Sequence, residues 1–328
     1  MSRVLVIGGG GMLGQKLARA LAAGGLAGGL AGATDEVTLF DLGFPEGGAP
    51  AARRVAGSVT DAAAVRRLVR SRPDVIFYLA AIVSGEAEAD FDKGWQTNML
   101  AFWTFLEAVR AEHAATGGAW VPRIVFTSSI AVFGAPCPDR IGDEYLAAPQ
   151  TSYGAQKAIC ELMLSDLARR GFVEGISLRL PTVTVRPGKP NKAASGFFSG
   201  IIREPLNGQE APLPVPVTVR HWHASPRAVT GFLRHAATMD LGPLGDRRVL
   251  NMPGVSCTVE EQIETLRAVA GSEAVALIRP APDETIQRIV AGWPRDFDPA
   301  RALALGFRAE SSFRAIVDAY LEDDLRGV

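Results

Sequence analysis

The sequence predicts an α/β fold on a doubly wound parallel sheet, and three observations predict it. Short apolar, β-branched runs at 4–7, 37–40, 75–79, 124–127 and 176–180 are separated by stretches with helical spacing. The first run passes into a glycine cluster, then into a pattern that puts Leu13, Leu17 and Leu21 on one face. Beyond about residue 179 the texture changes, because Pro181, Pro187, Pro190, Pro205, Pro212, Pro214 and Pro216 break any long element. Residues 1–178 therefore read as the sheet-bearing domain. Residues 179–328 read as a smaller, mainly substrate-binding part with some segments returning to the sheet.

Each element has its own signal. After the first run, Gly8, Gly11 and Gly14 allow the backbone to approach a ligand closely. Met12 and Leu13 open a helix whose amino end offers free N–H groups and a positive dipole. Strand, glycine turn and helix together point to a dinucleotide pyrophosphate. The second run ends in Asp41, where a carboxylate suits ribose hydroxyls and repels a 2′-phosphate, so NAD is favoured over NADP. Between them, the small-residue stretch 22–34 reads as a surface insertion. Helices are expected at 61–70, 95–110, 153–169, 195–202, 226–238 and 258–270. On such a sheet ligands lie at the carboxyl ends of the strands. The glycine turn, Asp41, Ala80–Ala81, Ser128–Ser129 and Pro181–Thr182 all follow strand ends and should share one rim.

The chemistry is expected at Tyr153 and Lys157, four residues apart, with Ser128–Ser129 upstream. A phenol has a pKa of about 10 and is a poor base in water. An ammonium one helical turn away favours the phenolate and makes a usable general base.

Bulk properties narrow the classes. The 328 residues carry a formal charge of −1 and are 48% hydrophobic, which suits a substantial core and gives no basic footprint for nucleic acid or an anionic membrane. No apolar run approaches the ~18 residues of a membrane span. The first strand starts too early to leave room for a signal peptide. Cys137, Cys160 and Cys257 are scattered and read as reduced thiols of a cytoplasmic protein. The four histidines suggest no metal site; His221 and His223, flanking Trp222, read as one face of a strand.

These residues resemble the extended short-chain dehydrogenase/reductase family, of the NAD-dependent epimerase/dehydratase type. The resemblance rests on the glycines of Gly8–Gly14, Asp41, YLAA at 78–81, Asn98 in WQTNML, SSIAVFG, YGAQK and the tail FDPARALALGF at 297–307. It covers nearly the whole chain and implies a Rossmann-type fold. It implies that Tyr153 is the acid/base, that Lys157 lowers its pKa and holds the nicotinamide ribose, and that Ser129 binds the reacting oxygen, with Ser128 its neighbour. Asn98 would fix the sheet and relay protons. Leu79, Ala80, Ala81, Pro181 and Thr182 would lie along the cofactor. Ser58 stands where many relatives carry an aspartate, so adenine contact falls to Ser58 or the Val59 backbone.

The stretches 178–208 and 214–229 resemble the family's sugar-acid oxidising members. This implies NAD-dependent oxidation of D-erythronate to 2-oxo-tetronate. A carboxylate in a closed pocket needs a cation or N–H donors; Arg186, Lys192 and Arg220 are the candidates, with Ser84 for a hydroxyl. L-threonine 3-dehydrogenases and nucleotide-sugar epimerases or dehydratases share the same catalytic residues, though RHWHASPRAV lacks the aspartate common in sugar-nucleotide relatives. A non-catalytic NAD sensor is the reading from another class, and the retained Tyr153, Lys157 and Ser129 weigh against it. A homodimer is expected through Phe102, Phe105 and Leu106 on one helix and Ile159, Leu162, Met163 and Leu167 on another.

Overall fold

The computed structural model describes residues 2–26, 36–49, 52–188 and 193–325. Most of the 22–34 insertion, and Lys192, lie outside these residues.

Seven strands form one parallel sheet. In chain order they are β1 (Arg3–Ile7), β2 (Glu36–Asp41), β3 (Arg53–Ala56), β4 (Val75–Tyr78), β5 (Arg123–Ser129), β7 (Glu174–Leu180) and β11 (Val249–Asn251), and the sheet order is β11-β7-β5-β4-β1-β2-β3. The remaining strands are β6 (Ile141–Gly142), paired with β14 (Phe297–Asp298); β9 (Ala211–Leu213), paired with β13 (Ile278–Pro280); and a three-stranded sheet of β8 (Thr182–Val183), β10 (Arg220–Ala224) and β12 (Val255–Thr258). The chain runs outward from β1 through β2 to β3, then crosses back to β4 and runs outward the other way. That reversal opens a crevice at the carboxyl ends of β1 and β4.

Helices α1 (Met12–Gly24) and α8 (Pro226–Thr238) cover one face of the sheet and α2 (Ala62–Val69), α5 (Ala101–Ala115) and α6 (Ser152–Arg169) the other; α3 (Ser84–Ala89) and α4 (Phe91–Gly94) lie against α6, and α7 (Gly196–Leu206) and α9 (Val259–Val275) pack together in the second part. Alternate residues of β1 point to opposite faces. Val4 and Val6 join a core with Leu17, Leu21, Phe232 and Leu233, from α1 and α8. Leu5 and Ile7 join a second core with Phe102, Phe105, Leu106 and Leu164, from α5 and α6. A third core in the second part gathers Phe198, Ile201, Ile202, Ile316 and Val317.

This packing corrects the expected dimer surface. Phe102, Phe105 and Leu106 are fully buried against the sheet and Leu167 nearly so. The apolar residues that α5, α6 and the turn before α5 turn outward are Leu100, Trp103 and Leu162. The stretch expected as one helix at 95–110 begins as a π-type turn, Trp95–Leu100, before α5. Among the described residues no helix is long and apolar enough to cross a membrane.

Candidate active site

A cleft of about 280 Å³ lies at the crevice. One wall is the glycine turn: Gly8, Gly11, Met12, Leu13 and Gly14. Gly8 has φ +90°, and a Cβ there would stand 2.6 Å from the Ala80 nitrogen. Ala80 therefore packs beneath the turn, while Leu79 and Ala81 reach the cleft. A Cβ on Gly14 would lie 2.3 Å from the Gly8 carbonyl oxygen, so α1 can start directly against the turn only without a side chain there. Gly11, the N-cap of α1, has nothing nearer its missing Cβ than the Gly8 oxygen at 3.5 Å and supplies no side-chain cap. The first-turn N–H groups of α1 are left to an anionic ligand.

Asp41 sits at the end of β2 beside this turn. One carboxylate oxygen accepts from the Gly10 N–H at 2.9 Å and the other from the Leu42 N–H at 2.7 Å. The group is fixed in direction and keeps free lone pairs for a diol. The Gly57 N–H donates to the Asp41 carbonyl at 2.9 Å, which brings Ser58 and Val59 alongside on the rim. The Ser58 hydroxyl itself bonds Thr60 at 2.7 Å. This arrangement fits a dinucleotide: a side-chain-free cradle and uncapped helix end for the pyrophosphate, and an oriented carboxylate for the ribose.

The opposite wall comes from β5, α6 and the segment after β7: Thr127, Ser128, Ser129, Tyr153, Lys157, Leu180, Pro181, Val183 and Arg186. Tyr153 and Lys157 lie one turn apart on α6. The Thr151 hydroxyl caps that helix by accepting the Gly154 N–H at 3.0 Å. Gly154 is required where it stands, since a Cβ would come 2.1 Å from the Ala131 carbonyl oxygen. Main-chain contact there brings the start of α6 against the turn that follows Ser129. The Ser129 hydroxyl accepts from the Ala131 N–H at 3.1 Å and lies close enough to Tyr153 to favour its phenolate.

The electrostatics differ from expectation. Burial pushes the Tyr153 phenol up to about 12, and the Ser129 hydrogen bond opposes this only in part. Burial also brings Lys157 down to about 8. The Lys157 ammonium donates to the Thr127 carbonyl at 2.8 Å and lies 4.7 Å from the Phe126 ring centroid and 5.6 Å from that of Tyr153. In the chain alone burial, which disfavours the charged phenolate, is the largest influence on Tyr153.

Three further expected residues have side-chain partners of their own. The Ser128 hydroxyl turns inward and donates to Glu161 at 2.5 Å. Glu161 forms a two-pronged ion pair with Arg179 at 2.9 and 2.8 Å, and the Arg179 guanidinium also lies over the Phe133 ring. Asn98 lies outside the cleft lining: its amide accepts from the Ile82 N–H at 2.8 Å and donates to the Ile82 carbonyl and to Gln156. It braces the loop whose Ile82 and Val83 line the cleft. Arg220 lies outside the cleft lining and pairs with Glu261 at 3.2 Å.

Thr182 and Ser84 also lie outside the cleft lining. His221 donates from Nδ1 to the Pro294 carbonyl at 3.0 Å, so its Nε2 accepts from the Thr182 hydroxyl at 2.7 Å. No group of histidine, cysteine and acidic side chains suited to a metal occurs among the described residues. Sequence reasoning missed Glu161. Its signal was present, since Glu161 follows Tyr153 and Lys157 at i+8 and i+4 on one face of α6.

With this geometry in place, comparison with known proteins adds a decisive match: residues 4–227 fit the profile of the NAD dependent epimerase/dehydratase family. The chain belongs to that family. Its cofactor is NAD, which the glycine cradle and Asp41 suit. This family member is 45% identical to a D-erythronate dehydrogenase of Cupriavidus necator, over 98% of each chain. It is 40% identical to a D-erythronate dehydrogenase of Haemophilus influenzae, over 98% of this chain and all of the relative. Among solved structures it is similar to a nucleoside-diphosphate-sugar epimerase of Agrobacterium tumefaciens, with 53% identity, TM-score 0.93, and coverage of 100% of this chain and 95% of that one.

Proposed function

We propose that this chain oxidises the C2 hydroxyl of D-erythronate to 2-oxo-tetronate with NAD. The observation that carries the chemistry is Tyr153, Ser129 and Lys157 on one wall of the cleft, facing the glycine cradle on the other. The substrate rests on the two D-erythronate dehydrogenases, each similar over nearly the whole chain. Bound NAD⁺ supplies the hydride acceptor and a positive ring. The chain's own groups handle the proton and the geometry. The Ser129 hydroxyl and the Tyr153 phenol grip the substrate oxygen. Tyr153, once ionised, takes the hydroxyl proton. Lys157, anchored on the Thr127 carbonyl, places a positive charge beside the Tyr153 ring and would hold a ribose hydroxyl of the cofactor. Asn98 keeps the Ile82 loop in place. Residues 1–178 carry the cofactor and 179–328 shape the substrate end.

A substrate panel tests the reading. D-erythronate with NAD should raise absorbance at the reduced-nicotinamide band, and L-threonate, L-threonine and NADP should serve poorly. Faster turnover of L-threonine, or of NADP over NAD, would overturn it.

We further infer a cytoplasmic enzyme that acts on a small molecule and forms a homodimer through Leu100, Trp103 and Leu162. Sedimentation should give twice the chain mass, and Trp103→Glu with Leu162→Glu should return it to one.

A further inference from the structure

The cleft has an uneven charge. Arg186 and Lys157 line it, and no aspartate or glutamate among the described residues does. Lys157 is engaged with the Thr127 carbonyl. Arg186 has no carboxylate within ion-pair distance among the described residues, although its side chain is mostly buried. It is held by hydroxyls and main chain: its N–H donates to Ser199 at 3.1 Å, its guanidinium donates to Ser195 at 3.3 Å, and its carbonyl accepts from Arg203 at 2.6 Å. Arg203 carries its own counter-charge in Glu204. A mostly buried guanidinium whose described partners are neutral is costly by itself and favourable against an anion. Burial, reinforced by the nearby Arg203 charge, brings Arg186 down to about 10, so it stays charged at neutral pH.

Resting on the reaction proposed above, we propose that Arg186 receives the substrate carboxylate and makes the site selective for a hydroxy acid over a neutral polyol or a zwitterion. The guanidinium fork matches a carboxylate with two parallel hydrogen bonds. An amino acid would bring its ammonium into a cleft with two cations and no carboxylate to accept it. A polyol would leave the Arg186 charge unanswered.

The test compares D-erythronate with erythritol, which replaces the carboxylate by a hydroxymethyl group, in wild type, R186K and R186M. R186M should raise KM for D-erythronate by about 100-fold, the scale of losing a charged hydrogen-bond pair, with little change in kcat/KM for erythritol. R186K should fall between, keeping the charge and losing the fork. NAD affinity and the thermal midpoint should stay near wild type in both variants. Equal losses on D-erythronate and erythritol, or an unchanged D-erythronate KM in R186M, would refute the assignment. Calorimetric binding of D-erythronate to the NADH-loaded protein reads the same contrast without turnover. Failure of wild type to oxidise D-erythronate would thus refute the reaction, whereas equal D-erythronate affinity in wild type and R186M would refute the role of Arg186.

Discussion

Tyr153→Phe should abolish turnover while leaving NAD binding almost unchanged. The substitution removes one oxygen, beside the Ser129 hydroxyl, and leaves the ring in place. General acid–base groups contribute roughly 10²–10⁴-fold to rate, and kcat should fall by at least that much. The pH profile carries the second half of the prediction. In the chain alone the phenol is held up near 12 by burial, so it is neutral across the physiological range. In the proposed mechanism the active form is the phenolate. Wild-type oxidation should therefore rise with pH until the pKa of the loaded enzyme is reached, which lies below 12 because the bound positive ring favours the anion. The Phe variant should show no such rise. Retention of more than about a tenth of wild-type kcat, a smaller loss than removal of any general base gives, would remove Tyr153 from the mechanism.

Glu161→Ala should be the most destabilising single change near the site. Glu161 is 3% exposed, and its carboxylate receives both prongs of Arg179 and the Ser128 hydroxyl. Its removal strands a mostly buried guanidinium, whose remaining partners are Asn251 at 3.4 Å and the Phe133 ring. Breaking one side of a buried pair costs about 3–5 kcal/mol, whereas replacing both partners with apolar groups is often neutral. The thermal midpoint should drop by roughly 10 °C, and Glu161→Leu with Arg179→Met should recover most of the loss. A drop of under about 2 °C, corresponding to less than about 1 kcal/mol, would show that the pair does not brace the site.

How much of this could be read from the chain depended on where each residue's partners lie. The glycine turn, Asp41, Tyr153, Lys157 and Ser129 are local patterns: strand, turn, helix and an i, i+4 pair. They reach the rim because short spacing fixes their direction. The side-chain partners of Ser128, Asn98 and Arg220 could not be read because they are distant in sequence. Ser128 answers to Glu161, Asn98 to Ile82 and Gln156, and Arg220 to Glu261. The strand β3, RRVA, went unread because it is a partly exposed edge with little apolar pattern. The strand β11 went unread because three residues carry no period. The helix expected at 195–202 runs on to Leu206 through Pro205, a residue that argues for a stop before it. The raising of the Tyr153 phenol by burial could not be read either: spacing predicts proximity, but burial needs three dimensions.

Gly154 has a consequence for how such enzymes can diversify. The spacing between the proton donor–acceptor and its serine companion is set by backbone resting on backbone, with no side chain between them to be exchanged. The residues that would choose the substrate sit on a separate stretch, held by its own serines and arginine. Preference for one acid or another can therefore be rewritten from residues 183 to 203, and the reactive geometry is inherited intact.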